Sequence, residues 1–383
     1  MLDTDLCDIL TVLRDFVRKE AVPLEQEVEE SDSVPVSLTE KMKDLGLYGY
    51  GLPEEYGGMG MTVLQQSRVM AELSWSSAVQ GHTTNNGLAG AVIREGGTER
   101  QRKEWLPQMA AGEIIASFAL TEPTAGSDPS TMLTTAHRDS DGWLIHGIKT
   151  FITYAPHADL FLVFARTNPE VPGKRGISGF LVPTDTPGVT VGPPDQKMGL
   201  RGSPTADVYL DQVRVPADAL VGGERGLDRG FVIAAKCLAL GRLMIAASSV
   251  GMATRLVHEL TEYAQTREQG GGPIGRFQLV QGLVADAVTD LHAGRALLES
   301  VAAAYDAGAD TVRGPSVAKY FCSEMLGRVA DRAVQIHGGA GYMRGTTVER
   351  LYRDARVARI YDGTSQVLQV LIARDVLGEA ARA

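Results

Sequence analysis

The sequence predicts an α+β protein in three successive parts: a helical domain at the amino terminus, an antiparallel β domain in the middle and a helical bundle at the carboxy terminus. Apolar residues recur at helical spacing early in the chain, short β-rich runs punctuated by Pro and Gly follow, and long helical patterns then return. We place the domains at residues 1–113, 114–230 and 231–383. A chain of 383 residues with 44% apolar residues is large enough for several packed cores.

The amino-terminal part contains an apolar stripe and two candidate helix starts. Ser37 with Glu40, and Thr98 with Gln101, have the spacing of capping boxes, in which two side chains bond each other's backbone amides. The stripe has the spacing of one helix face and consists of Leu6, Ile9, Leu10, Leu13, Phe16 and Val17.

The middle part contains five β-rich runs. Asp141-Gly142 stands between alternating segments, which indicates a β-hairpin turn. The runs predict strands over residues 114–119, 144–153, 160–166, 177–182 and 206–215.

The last part predicts long helices joined by short loops, a pattern typical of a bundle. A Gly-Gly-Gly-Pro segment at residues 270–273 separates the first two helices. Further helices are predicted over residues 317–336 and 348–356.

Net charge and cysteine content exclude several classes of protein. A net charge of −10 argues against nucleic acid as the main partner, because phosphate binding needs a basic face. No apolar run appears long enough to cross a bilayer, and the acidic amino terminus is unlike a signal or transit peptide, so we expect no membrane association. Cys7, Cys237 and Cys322 lack the spacing of metal ligands, which predicts buried, reduced thiols, no metal site and a cytoplasmic location.

Five segments of the chain carry polar or acidic side chains next to glycine or within a predicted strand. Glycine lets a ligand approach the backbone closely. The last segment places a lone carboxylate, Asp362, between Tyr361 and Gly363, an arrangement that suits a general base beside a polar ligand. The segments are residues 119–128, 149–153, 197–203, 335–342 and 360–366.

Together these five segments resemble the motifs of the acyl-CoA dehydrogenase flavoproteins, over essentially the whole chain. The resemblance implies an amino-terminal helical domain, a middle β domain and a carboxy-terminal four-helix bundle, in agreement with the pattern. It also implies an FAD cofactor between the β domain and the bundle. Members are homo-oligomers, dimers or tetramers, in which a neighbouring subunit contributes to the FAD site.

The resemblance assigns FAD-binding and substrate-binding residues. The flavin ring would contact Phe118, Leu120, Thr121, Phe151 and Thr153, and the pyrophosphate would contact Gly126 and Ser127. The remaining cofactor contacts, some of them across the subunit interface, would come from Arg267, Gln278, Gln335, Gly338, Gly339, Thr364, Ser365 and Gln366. The substrate would contact Ser127, Arg242, Tyr361 and Gly363.

The implied reaction is α,β-dehydrogenation of an acyl thioester carried by CoA or by a carrier protein. Asp362 would take the α-proton while hydride passes to flavin N5, and electrons would then go to an electron-transfer flavoprotein. The developing enolate needs hydrogen bonds at the thioester carbonyl, which the resemblance assigns to a flavin ribityl hydroxyl and the Asp362 amide.

Two departures from the family pattern leave alternatives open. The commonest family base is Glu, and Asp362 is shorter by about 1.5 Å; the other known position of the base is Gly241 here. Gly270 stands where the family usually has Phe. Asp362 would serve a substrate that sits closer, such as a short or branched acyl group. The alternatives are a flavin oxidase resembling nitroalkane oxidase, or a weakly active or non-catalytic subunit of a hetero-oligomer.

Overall fold

Helices at both ends of the chain flank a β-sheet in the sequence. A computed structural model describes residues 3–80, 84–171 and 173–378. The outermost residues of the first and third predicted domains, 1–2 and 379–383, lie outside the described residues. Apolar side chains of the amino-terminal helices, of part of the sheet and of the bundle form one continuous core. A second core lies on the other face of the sheet.

Short and medium helices build the amino-terminal part. Thr98 caps its helix in the predicted capping box with Gln101. The prediction at Ser37 was wrong, because the helix begins one residue earlier, after Pro35, and has no side-chain cap. The helices are α1 (Asp3–Phe16), α2 (Glu25–Ser31), α3 (Val36–Asp44), α4 (Val63–Leu73), α5 (Ser77–Gln80), α6 (Thr84–Gly96) and α7 (Glu99–Ala110).

The middle part is a sheet whose described strands follow the order β1-β4-β2-β3-β7-β6, with β5 paired to β4. Most pairs are antiparallel, including the β2–β3 hairpin predicted from Asp141-Gly142. The β1–β4 and β2–β4 pairs are parallel, a feature that the antiparallel prediction omitted. The strands are β1 (Ala116–Ala119), β2 (Thr135–Arg138), β3 (Gly142–Thr153), β4 (Leu160–Arg166), β5 (Ile177–Pro183), β6 (Val189–Val191) and β7 (Thr205–Pro216).

Long helices form the carboxy-terminal bundle. The first of them is long and apolar enough to cross a bilayer, so the expectation that no segment reaches this length was wrong. It packs against helices of both helical parts, which accounts for its composition. The helices are α8 (Gly230–Thr266), α9 (Gln278–Asp306), α10 (Arg313–His337), α11 (Gly339–Tyr342), α12 (Thr347–Ala355) and α13 (Ser365–Val376).

The three cysteines are free thiols in different environments. Cys237 and Cys322 are buried, and burial raises the pKa of each thiol to about 12. Cys7 is exposed, contrary to the prediction, because it lies on the outer face of α1.

Candidate active site

The loop between α12 and α13 carries Asp362 in an unusual backbone conformation. Its φ is +53°, and the φ of Gly363 is +100°. The left-handed region disfavours most side chains, but Asp enters it more readily than longer residues because its short polar side chain can bond locally. The turn therefore gives a local reason for Asp rather than Glu at this position.

The Asp362 side chain is half-buried and points at α8. A methyl group placed on Gly241 would lie 3.1 Å from Oδ2 of Asp362 and 3.8 Å from Cδ1 of Leu88 on α6. The carboxylate therefore fills the space that a side chain at position 241 would need. A second carboxylate at 241 would crowd the first.

Two cations hold the Asp362 loop. Arg242 Nε donates to the Asp362 carbonyl oxygen at 3.5 Å, and its Nη1 donates to Ser316 Oγ at 3.3 Å. Lys319 Nζ donates to the Gly363 carbonyl oxygen at 2.8 Å. Burial raises the pKa of the Asp362 carboxyl, and the charges of Lys319 and Arg242 oppose part of this rise. Among the described residues, no hydrogen bond or ion pair reaches the carboxylate itself.

The backbone amides next to this carboxylate differ in their hydrogen bonds. The Tyr361 amide donates to Val357 O at 3.2 Å, which closes the short helical turn before the loop. Within the part of the chain that the structure describes, the Asp362 amide donates to no backbone carbonyl. This donor fits the predicted role of bonding a thioester oxygen.

The sheet residues assigned to the flavin ring lie together on β1, β3 and the loop after β1. The Thr150 amide donates to Thr121 O at 2.9 Å, and Ser117 Oγ donates to Thr153 O at 2.7 Å, which fixes the two segments side by side. Phe151 has a φ of +56° and is 67% exposed, although it lies within a strand. An exposed aromatic ring beside Thr121 and Thr153 fits a planar polar cofactor.

Apolar side chains of this surface and of the Asp362 loop pack against the same core. Phe118, Leu120 and Tyr361 are all partly buried against the continuous core. Phe118 also packs on the ring of Phe164, with ring centroids 4.9 Å apart. The sheet face and the acidic loop therefore border the same core.

A buried ion pair anchors the loop that follows β1. Lys149 Nζ lies 2.7 Å from Glu122 Oε1 and donates to Leu120 O at 3.3 Å. The Glu122 carboxylate accepts the amides of Leu133 and Thr134 at 2.6 Å and 3.0 Å. Burial would raise the pKa of Glu122, but Lys149 and these hydrogen bonds lower it overall. Neither Lys149 nor Glu122 was given a role from the sequence.

Open glycines fit the phosphate and adenosine parts of FAD. Gly126, Gly338 and Gly339 have no described atom within 4 Å of the position a Cβ would take. Gly126 and Ser127 are both exposed on the loop after β1. The backbone at these positions can approach a ligand closely, as a pyrophosphate requires.

The residues assigned to the partner side of FAD lie at one end of the bundle. Tyr263 of α8 stacks on His337 of α10, with centroids 4.1 Å apart, and this contact joins the ends of the two helices. His337 Nδ1 also bonds Ala333 O at 2.8 Å, which gives this ring a structural role at the end of α10. The assigned residues at this end are all exposed: Arg267, Gln278, Gln335, Gly338 and Gly339.

The loop that contains Gly270 is held by its own residues. Gly270 has a φ of +63°, which Phe would adopt only with strain. Arg276 Nη2 donates to the Gly270 carbonyl oxygen, and the Arg276 guanidinium lies over the Phe277 ring. The conformation of this turn explains why glycine replaces the usual Phe.

The three residues after Gly363 differ in their availability. Thr364 Oγ1 caps α13 by accepting the Val367 amide at 3.2 Å, and Gln366 is exposed. Ser365 is 3% exposed and its hydroxyl donates to Glu324 at 2.6 Å. The Ser365 hydroxyl is therefore engaged by Glu324, and the assignment of Ser365 to the cofactor stays a prediction.

Lys319 is a further site residue that the sequence reasoning missed. It takes a position on the apolar face of α10, between Ser316 and Cys322, and its side chain is completely buried. A charged residue in the middle of an otherwise apolar helix face is the signal that would have identified it.

A half-buried carboxylate without a hydrogen-bond partner among the described residues, together with a sheet surface and open glycines that fit a flavin dinucleotide, is typical of an oxidoreductase that carries FAD. The chain belongs to the acyl-CoA dehydrogenase family, since models of the family's N-terminal, middle and C-terminal domains match residues 5–113, 117–213 and 228–377. Members act on the CH–CH group of acyl-CoA, bind FAD and are typically homotetramers. The fold class, the enzyme class and the FAD cofactor predicted from the sequence are confirmed.

Relatives match over nearly the whole chain. A 3-(aryl)acrylate reductase of Clostridium sporogenes is 39% identical over 371 residues, which cover 96% of this chain and 97% of the relative. Subunit CarC of the caffeyl-CoA reductase–Etf complex of Acetobacterium woodii is 39% identical over 367 residues, 95% of this chain and 96% of the relative. A glutaryl-CoA dehydrogenase of Mycobacterium smegmatis, solved in complex with FADH2, has a TM-score of 0.91 at 31% identity and covers 100% and 97% of the two chains.

Proposed function

We propose that Asp362 is the base in the FAD-dependent α,β-dehydrogenation of an acyl thioester. The observation that carries this proposal is the position of its carboxylate, which is half-buried against Gly241 and free of hydrogen bonds among the described residues. Burial raises the pKa of this carboxyl, which suits a group that must accept a proton from carbon.

The groups at this loop have separate roles in the reaction. The Asp362 carboxylate takes the α-proton, and its own amide donates to the thioester carbonyl oxygen, where negative charge develops. Arg242 holds the Asp362 carbonyl and thereby fixes the orientation of both groups. FAD held at this site would supply the acceptor for the hydride that leaves the β-carbon, and the product would be an α,β-unsaturated thioester.

The short side chain of Asp362 constrains the substrate. Asp reaches about 1.5 Å less far than Glu, so the α-carbon must lie closer to the backbone of residue 362. We propose a short or branched acyl group on CoA or a carrier protein. Ser127, Tyr361 and Gly363 remain its proposed contacts along with Arg242.

The reverse reaction is a second candidate. A protonated Asp362 would return its proton to the α-carbon while hydride returns to the β-carbon, which reduces an α,β-unsaturated thioester. The clostridial relative is named as a reductase of arylacrylates, and this similarity favours the candidate. The name of the Acetobacterium relative supports an electron-transfer flavoprotein as redox partner in either direction. We propose a cytoplasmic location.

Anaerobic flavin bleaching tests the role of Asp362. Purified enzyme is mixed with a panel of saturated acyl-CoAs, and loss of flavin absorbance is followed for the native protein, Asp362→Ala and Asp362→Glu. We expect bleaching to disappear in Asp362→Ala and to persist or increase in Asp362→Glu. The matched control is Asp354→Asn, on the preceding helix, which should bleach normally. An unchanged rate in Asp362→Ala would show that another group is the base.

A further inference from the structure

Lys319 is a buried cation without an obvious structural partner. Its side chain is completely buried on α10, and among the described residues its hydrogen bond goes to a carbonyl, Gly363 O, at 2.8 Å. No carboxylate oxygen of the described residues lies within 4 Å of its Nζ. Burying an ammonium without an ionic partner is costly, so the chain must derive something from its presence.

The contact of Lys319 falls one residue after the base. Arg242 from α8 bonds the carbonyl of Asp362, and Lys319 from α10 bonds the carbonyl of Gly363. Two successive carbonyls are thus held by cations from two different helices. This arrangement fixes a turn in which both residues have a positive φ.

We propose that Lys319 is a positioning residue for the reaction: its ammonium holds the Gly363 carbonyl and supplies the positive charge that keeps Asp362 ionised before the substrate's α-proton is taken. The proposal rests on the proposed role of Asp362 as the base. Lys319 contacts neither substrate nor cofactor in this account and acts through the Asp362 loop. A displacement of about 1 Å in a catalytic group costs on the order of a hundredfold in rate, so the effect is measurable.

The charges around Lys319 support this coupling. Burial lowers the pKa of Lys319 to about 8, and Asp362 opposes that change. Arg242 on α8 lowers the pKa of Lys319 further, while Glu324 on α10 raises it. In turn, the Lys319 charge lowers the pKa of Asp362 against the rise caused by burial.

The sign of the pH dependence follows from these directions. Asp362 must be ionised to act as a base, so activity rises with pH as Asp362 loses its proton. Removal of the Lys319 charge lets the pKa of Asp362 rise further, and the acid limb of the pH profile must move to higher pH. Loss of packing alone would lower the rate without moving this limb.

Two variants separate the hydrogen bond from the charge. Lys319→Met removes both, whereas Lys319→Gln keeps a donor for Gly363 O without the charge. The control is Cys322→Ala on the same helix, because Cys322 is equally buried but faces α9, where its Sγ contacts Gly294 O. All variants are made as holoenzyme, and flavin content and thermal stability are recorded for each.

The primary readouts are the pH profile of kcat/KM and the infrared carboxyl band of Asp362, assigned by its loss in Asp362→Asn. Lys319→Met should move the acid limb of the pH profile, and the pH midpoint at which the carboxyl band titrates, up by about one pH unit. It should also lower kcat by about 10- to 100-fold, with a smaller change in KM. Lys319→Gln should recover much of kcat but keep the shifted midpoint. Cys322→Ala should change neither readout.

The proposal is overturned if Lys319→Met leaves the limb and the band in place and only lowers thermal stability, because Lys319 is then structural. This result is distinct from failure of the proposed function. If Asp362 is not the base, Asp362→Asn retains activity, whatever the Lys319 variants do.

Discussion

Two lysines, one in the sheet and one in the bundle, are both completely buried and hold two different loops of the candidate site. Lys149 on β3 donates to the Leu120 carbonyl, and Lys319 on α10 donates to the Gly363 carbonyl. Burial lowers the pKa of each to about 8. They differ in their acidic neighbour, since Lys149 lies 2.7 Å from Glu122, an ion pair that Lys319 lacks among the described residues.

This difference indicates that a buried lysine is structural in the sheet and functional in the bundle. In the sheet, Glu122 neutralises the charge of Lys149 and also accepts hydrogen bonds from the amides of Leu133 and Thr134, so the pair is structural. In the bundle, the nearest carboxylate in the loop belongs to Asp362, which must remain free to react. The charge of Lys319 is therefore left for the reaction rather than neutralised.

The largest expected effect comes from breaking the paired lysine. Lys149→Met leaves Glu122 buried without its partner, and we expect a loss of about 3–5 kcal/mol in the free energy of unfolding. Lys319→Met removes a hydrogen bond to a carbonyl and should cost only about 1 kcal/mol. Parallel urea titrations of the two variants measure the difference. Equal losses would contradict the division into a structural and a functional lysine.

A second substitution should rescue the first. Glu122→Gln in the Lys149→Met background removes the uncompensated charge but keeps an acceptor for the Leu133 amide. We expect the double variant to regain about 2 kcal/mol relative to Lys149→Met. A double-mutant cycle by urea unfolding measures this coupling, and strictly additive losses would show that the two side chains are not an energetic pair.

The smallest effect should come from a third buried ionisable group, Asp354 on α12. Burial raises the pKa of Asp354 to about 7, although Oδ1 accepts the Leu200 amide at 2.6 Å. Oδ2 has no partner among the described residues. The folded protein therefore holds this proton to higher pH than the unfolded chain, and stability falls as pH rises from about 4 to about 7.

Asp354→Asn removes this titration and keeps the acceptor for Leu200. Between pH 5 and pH 8, we expect the free energy of unfolding to fall by about 1–2 kcal/mol less in the variant than in the native protein. Thermal melting at the two pH values measures how strongly the stability of each protein depends on pH. Parallel slopes in both proteins would mean that Asp354 does not titrate in this range.

The sequence predicted the fold class because it is written in local patterns and motifs, whereas the roles of the site residues stay predictions. Helical spacing and the Asp141-Gly142 turn are readable from neighbouring residues, and Asp362 stands in a recognisable segment. The domain boundaries and the FAD contacts stay predictions. Lys319 and Glu122 were missed because their roles depend on residues 44 and 27 positions away in the chain.

Side-chain burial and backbone conformation were also not predicted from the sequence. Ser365 stands beside Thr364 in the motif, yet it is buried and its hydroxyl donates to Glu324, 41 positions earlier in the chain. The positive φ of Asp362, which favours Asp over Glu there, was not predicted, although Asp-Gly is a turn signal. Arg242 and Lys319, from two distant helices, hold this conformation. Such features follow from packing between distant segments.

Exchange of the substrate's α-hydrogen tests the central claim most directly. An acyl-CoA without β-hydrogens cannot be dehydrogenated, but a base at the α-carbon still exchanges its α-hydrogens in D2O, and mass spectrometry detects the gain of deuterium. We predict exchange by the native holoenzyme and its loss, by at least about a hundredfold, in Asp362→Asn with normal flavin content. Exchange at the native rate in Asp362→Asn would contradict the assignment of Asp362 as the base.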